Sequence, residues 1–145
     1  MKTIKYLSIL ILAVVFISCD ETKKVIDVAG NVQLTGSYTV SHIKGKKPEG
    51  TTPTFTLSAI DNSFKGTTGC NSVFGNYSID LYAIDFGDLA VSTKECGDKE
   101  MNKERDFLDA LSNAGSYDIQ NNVLTLYSKT DRSVLLKALK DSNKQ

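Results

Sequence analysis

Thr54-Phe55-Thr56-Leu57-Ser58-Ala59 alternates polar and apolar residues without a break, so Phe55, Leu57 and Ala59 share one face of an extended segment. Side chains of a strand point alternately to its two faces, and a period of two therefore reads as a strand with one face in a core and the other in water. Asp61-Asn62, which follows, is a turn signal because both residues tolerate a left-handed backbone. Working outward, Tyr77, Ile79 and Leu81 repeat the alternation, and Leu124 and Leu126 repeat it after the Asn121-Asn122 turn. Thr130-Asp131-Arg132 marks one more turn, while Pro48 and Pro53 flank the single long loop. Seven or eight short strands in about 110 residues predict a curled antiparallel sheet or an open barrel.

Between Asp98 and Asn113 the period changes. Met101, Phe107, Leu108 and Leu111 fall at helical spacings, with Lys99, Lys103, Arg105, Asp106 and Asp109 on the other faces. Asp98 is expected as the N-cap, Glu100 favours the dipole in the first turn, and Gly115 is expected to end the helix in a left-handed conformation. The apolar stripe is expected to bury against the sheet, since a domain this small needs that area for its own core. A partner-binding helix is the lesser alternative.

The three cysteines divide into one and two. Lys2 and Lys5 precede an apolar run from Leu7 to Ile17, interrupted only by Ser8, and Ser18-Cys19 closes it before Asp20-Glu21. This has the build of a secretory signal, and it is too short for a transmembrane helix, which needs about 20 apolar residues. The end of the run resembles the lipobox of bacterial lipoproteins, although Phe16 and Ile17 replace the commoner Leu and Ala/Ser. That resemblance implies a thioether-linked diacylglycerol on Cys19, which becomes the first residue of the mature chain. Several acyl chains anchor firmly, at about 0.8 kcal/mol for each buried CH₂.

Removing residues 1–18 from the 145 leaves 127, enough for one core. Taking Lys2 and Lys5 from the 17 basic side chains leaves 15 against 17 acidic ones, a formal −2 that argues against nucleic acid as a partner. Lys44, Lys46 and Lys47 cluster beside Pro48 and Gly50 and read as a solvated hairpin loop, with phosphate binding the lesser alternative. Asp20 to Lys24 reads as a polar tether, and Val25 to Gln33 as linker or edge strand.

Cys70, in Gly66-Thr67-Thr68-Gly69-Cys70-Asn71, and Cys96, just before the helix, are most simply a disulfide outside the cytoplasm. No other chemistry is well supported. His42, the one histidine, is far from Cys70 in sequence, and the glycines lack the Gly-Lys-Ser/Thr ending of a phosphate loop. Two cysteines and one histidine without short spacing are a poor zinc set, and Asp80, Asp85 and Asp88 read as solvated loop acids rather than a hydrolytic pair or calcium site. No metal, cofactor or catalytic residue is expected.

Several motifs then occur in order: Leu34-Thr35-Gly36-Ser37-Tyr38, Gly69-Cys70-Asn71 with Gly75-Asn76-Tyr77, Thr93 with Cys96, the run Met101 to Leu111, and Leu124-Thr125-Leu126. Together they resemble the META/HslJ-like domain. Tyr38 stands where many members carry Trp, and Thr93 to Cys96 is one residue shorter than the commoner spacing. The resemblance implies a mainly β (α+β) fold, a small, partly open antiparallel β-barrel with one amphipathic helix packed against it. It also implies an envelope protein linked to stress, with no general catalytic activity. The expected organisation is a signal peptide (1–18), a lipidated N-terminus and tether (19–33), the domain (34–139) and a C-terminal tail (140–145).

The function expected is that of a non-enzymatic, monomeric module of the bacterial cell envelope. It is anchored through Cys19 to a membrane, at the outer membrane or periplasmic face, and engages an unidentified envelope protein. The alternative is a carrier holding a small apolar or acyl ligand inside the barrel.

Overall fold

The computed structural model describes residues 29–142. Nine strands are present: β1 (Gly36–Ile43), β2 (Thr54–Ser58), β3 (Ser63–Thr67), β4 (Ser72–Asp80), β5 (Ala83–Phe86), β6 (Ala90–Val91), β7 (Ala114–Gln120), β8 (Val123–Ser128) and β9 (Val134–Lys140). A short helix, α1, covers residues 29–34, and the main helix, α2, spans Asp98–Ser112.

All the strand pairings are antiparallel, and they run β1-β2-β3-β4-β5-β7-β8-β9 and back to β1, which closes an eight-stranded barrel. Closure abolishes the unpaired edges that an open sheet would present. The nine-residue β4 makes the ring possible, because one side of Ser72–Asn76 pairs with β3 while Tyr77–Asp80 pairs with β5. Farther along that second side, Val73 and Phe74 pair with β6. β5 and β6 thus form one interrupted strand beside β4. At the interruption Gly75 faces Asp88 and Leu89, and a Cβ on it would sit 2.8 Å from Leu89 Cδ2 and 2.9 Å from Asp88 O. Only glycine lets the two backbones approach so closely.

The alternation of polar and apolar residues along the strands is realised in the packing. Phe55 and Leu57 are buried on β2, Tyr77 on β4, and Leu124 and Leu126 on β8. Leu81 departs from its expected face, since it lies in the β4–β5 turn with a positive φ of 57° and is exposed. The Asn62, Asn121, Asn122 and Arg132 turns do adopt positive φ. Aromatic rings fill the interior: Phe55 stacks between Tyr38 and Phe64, at 5.1 and 5.4 Å between centroids, and Phe86 meets Phe64 edge-on.

The two helices close opposite ends. At the α1 end, Tyr38 Oη donates to Leu34 O at 2.7 Å, Lys140 Nζ donates to Gln33 O at 2.8 Å, and Thr35 N donates to Asn31 O at 3.0 Å. These bonds satisfy the last carbonyls of α1, and Lys140 adds a cation at the negative end of its dipole. Residues 29–33 are therefore helical rather than linker or edge strand; residues 25–28 lie outside the described residues. The helix is selected by contacts from Tyr38 and from distant Lys140, together with the complete burial of Leu34.

α2 closes the other end, with Phe107 inserted 6.3 Å from the Phe55 ring. Gly97 occupies the N-cap and makes no side-chain cap bond, so Asp98 is the first helical residue and not the cap. Asn113, not Gly115, ends the helix, in a right-handed conformation, and its amide donates back to Asp109 O. Phe107, Ala110 and Leu111 are buried, whereas Met101 of the expected stripe is exposed and Leu108 half-buried.

Tyr38 and Tyr77 tie the fold to alkaline pH. Burial pushes the Tyr38 phenol far above its ordinary value, and Tyr77 and Tyr117 add to the effect. The Tyr77 phenol is pushed up to about 12, first by burial and then by Asp61 and Tyr117, and its hydroxyl has no partner among the described residues. A raised phenol binds its proton more tightly in the folded state, so its contribution is complete below the unfolded value of about 10 and is lost as pH rises beyond it. The urea midpoint is expected to fall from pH 10 to 12. Tyr77→Phe, which removes a buried hydroxyl with no partner, is expected to cost little at neutral pH and to reduce that alkaline slope.

Candidate functional site

The β4 approach begins with Thr67-Thr68-Gly69-Cys70-Asn71, which folds into a tight loop at the α2 end. Thr68 N donates to Asn71 O at 2.8 Å, and the Thr68 hydroxyl oxygen accepts from Asn71 N at 2.9 Å. Gly69 sits at φ +95°, and a Cβ there would meet Thr51 O at 2.4 Å, so both conformation and space demand glycine. The fully buried Thr68 and Asn71 then reach Glu104 of α2. Thr68 Oγ1 donates to Glu104 Oε2 at 2.6 Å, and Asn71 Nδ2 donates to the same oxygen at 3.0 Å.

Asn71 also reads the chain after β6. Its Oδ1 accepts from Lys94 N at 2.8 Å and from Ser92 Oγ at 2.9 Å, and its Nδ2 lies 3.2 Å from Lys94 O. Cys70 is bonded to Cys96 beside this network, with 6.3 Å between Cα atoms. Asn71 thus joins three segments (the loop, the post-β6 chain and α2) at a point that the disulfide also clamps. Buried polar groups satisfied in this way fix one packing, because each broken bond leaves a desolvated atom behind.

Two grooves flank α2 outside the barrel. The first, of about 820 Å³, runs between α2 and the interrupted β5–β6 strand. Leu89, Val91, Met101 and Leu108 give it an apolar floor, and Asp85, Asp88 and Asp109 outnumber Arg105 among the charged groups beside them. Arg105 is held by Asn102. The second, of about 560 Å³, lies between α2 and the β1–β2 loop and gathers lysines. Lys44 bridges both flanks, with its Nζ 2.8 Å from Asp109 and 3.2 Å from Asp106. The bond to Asp109 holds the Lys44 ammonium above its ordinary value, and Asp106 adds to this.

Of the residues weighed in the sequence, Cys19 lies outside the described residues. His42 is exposed on β1, with Nδ1 3.2 Å from Ser41 Oγ and no link to the cysteines. Asp85 and Asp88 line the apolar groove, whereas Asp80 lies at the β4–β5 turn, so the three do not form one site. Among the described residues no group of three His, Cys, Asp or Glu side chains is placed to hold a metal ion. No described helix is long and apolar enough to cross a membrane.

Lys103, expected on a polar face of the helix, is buried, and so is Glu104, to which the pattern gives no role. The helical period could have located them: they stand four and three residues before Phe107, on the face that Phe107 and Leu111 bury.

A closed antiparallel barrel stoppered at one end by α2, with a disulfide and a buried Asn–Glu contact fixing that stopper, places the molecule among small helix-plugged β-barrel domains. Residues 31–141 match the META domain, and the chain belongs to that family. An NMR structure of a protein from Burkholderia xenovorans shares the fold with a TM-score of 0.63 at 22% identity, over 79% of this chain and 88% of that one. A crystal structure of a DUF4847 family protein from Bacteroides vulgatus does so with a TM-score of 0.59 at 16% identity, over 80% of this chain and 99% of that one. No curated protein matches the sequence.

Proposed function

We propose that this protein is a lipid-anchored module of the bacterial cell envelope, tethered through acylated Cys19, that acts without catalysis by holding a segment of another envelope protein. The observation that carries this reading is the open groove between α2 and β5–β6. Its half-buried and exposed apolar side chains, Leu89, Leu108 and Met101, are bordered by an excess of carboxylates, which suits a protein segment presenting apolar side chains beside basic ones. The groove lies at the α2 end, while the described chain begins at α1; the eight residues of β1 separate the two by about 26 Å of strand. The family's link to stress makes heat-shocked cells the condition in which to look.

The acyl-carrier alternative is less well supported, because Tyr38, Phe55, Phe64 and Phe107 fill the barrel interior and both grooves lie outside it.

The test places a photo-crosslinking amino acid at Met101 in the full chain, in living cells, with Ile60 on the β2–β3 turn as the control site. The expected result is an adduct from Met101 alone, mapping to an apolar, basic segment of an envelope protein and lost on Asp85→Lys with Asp88→Lys. Equal adducts from both sites, or adducts unaffected by the charge reversal, would overturn the groove. Separately, radiolabelled fatty acid should be incorporated by the protein and lost on Cys19→Ala; unlabelled wild-type protein would overturn the anchor.

A further inference from the structure

We propose that the lysine-lined groove between α2 and the β1–β2 loop binds a phosphate-bearing ligand. The sequence presents Lys44, Lys46 and Lys47 as an exposed loop cluster, and the fold adds Lys99 and Lys103 from the first turns of α2. Against these five ammonium groups the groove carries only the carboxylates of Glu49 and Asp106. Asp106, moreover, is already engaged by Lys44. The side chains of Lys46, Lys47 and Lys99 are exposed and have no partner among the described residues. In a chain with no formal net charge, this surplus is a local concentration and not a general basicity.

Lys103 makes the groove more than a patch of surface lysines. Its side chain is only 8% exposed, yet among the described residues no carboxylate lies within ion-pair distance of it. Its Nζ donates instead to Glu49 O at 2.9 Å and to Thr51 O at 2.7 Å. An ammonium has three donors, so two are used on the loop and one remains. A buried cation held only by neutral carbonyls is incompletely compensated for the water it gave up, and an anion in the groove supplies that compensation. The same two bonds pin the loop that carries Lys46 and Lys47 against α2, which orders the site before a ligand arrives and lowers the cost of binding. Lysine binds phosphate as a point charge, and several convergent ammonium groups suit the two or more negative charges of a phosphomonoester or diphosphate. Ile43 and Pro48 add an apolar wall for the group that bears the phosphate.

The ligand could be a lipid headgroup or a soluble phosphate compound, and the probes separate them. The purified full chain, labelled with ¹⁵N in an uncharged detergent, is titrated with inorganic pyrophosphate. It is then titrated with short-chain phosphatidic acid doped into the micelle, with phosphatidylcholine as the zwitterionic control. Saturable amide shifts at Lys46, Lys47, Lys99 and Lys103 are expected with pyrophosphate. Lys46→Gln, Lys47→Gln and Lys99→Gln together should weaken binding roughly tenfold or more, about 1.4 kcal/mol, without altering amides on the far side of the barrel. Shifts from phosphatidic acid that pyrophosphate competes away support the headgroup source, and shifts from pyrophosphate alone support a soluble one. No saturable shift at millimolar pyrophosphate, or affinity unchanged in the triple variant, would overturn the site.

Discussion

Asn71→Ala is expected to lower the unfolding free energy by about 3–4 kcal/mol, a large part of the stability of a small domain. The side chain is 1% exposed and reaches Ser92, Lys94 and Glu104. Truncation leaves one contact of the Glu104 carboxylate without its partner in a buried position, and the Lys94 amide and Ser92 hydroxyl without theirs in partly buried ones. The cost comes from stranding these groups, each worth about 1–3 kcal/mol when desolvated and unpaired. Asn71→Asp separates this from simple volume loss. It keeps the acceptor for Lys94 N but turns the donor facing Glu104 Oε2 into an oxygen at 3.0 Å. That variant should be at least as unstable at neutral pH and should recover part of the loss in acid, where one carboxyl of the pair takes up a proton. Urea denaturation from pH 4 to 8 is the measurement. An Asn71→Ala midpoint within error of wild type would show that the network is not a stabilising element.

Removing the Cys70–Cys96 bond by paired substitution with serine is expected to cost roughly 3.5 kcal/mol, from the loop closed by a separation of 26 residues. Most of this acts on the unfolded chain, so the native barrel should persist at a lower population, loosened only where the bond clamps the loop to the post-β6 chain. The loss should not add to that of Asn71→Ala. The disulfide and Asn71 hold the same loop to the same post-β6 chain, and once either clamp is gone the other works on a looser structure. A double-mutant cycle should therefore show coupling, with hydrogen exchange accelerated first at residues 68–71 and 92–97. Strict additivity would mean that the two clamps secure independent parts of the fold.

The strands were legible because their signal is local. Phe55, Leu57, Leu124 and Leu126 sit two residues from their partners in the pattern, and a half-buried strand needs nothing more distant to declare its inner face. The turns were legible for the same reason, since Asn62, Asn121 and Asn122 carry their tolerance of positive φ within themselves. The helix was legible in extent but not in its ends. Asp98 has the right side chain for a cap, yet it is drawn into the first turn, and the helix ends at Asn113 before Gly115 is reached. α1 carried no readable signal, because its C-terminal carbonyls are satisfied by Tyr38 and by Lys140, the latter 107 residues away from Gln33.

The sequence by itself determined the alternating strands, the single amphipathic helix, the resemblance to the META domain and two cysteines available to pair, all properties carried by near neighbours or by residue type. Only the tertiary structure decided that the barrel closes, because closure depends on β4 reaching β3 and β5 at once. It alone placed Glu104 on Asn71 and buried Lys103 under the β1–β2 loop. It also gathered acids on one flank of α2 and lysines on the other. Charge in a sequence is a sum along the chain, whereas recognition depends on which charges share a groove. That is set by strand register and helix packing across tens of residues.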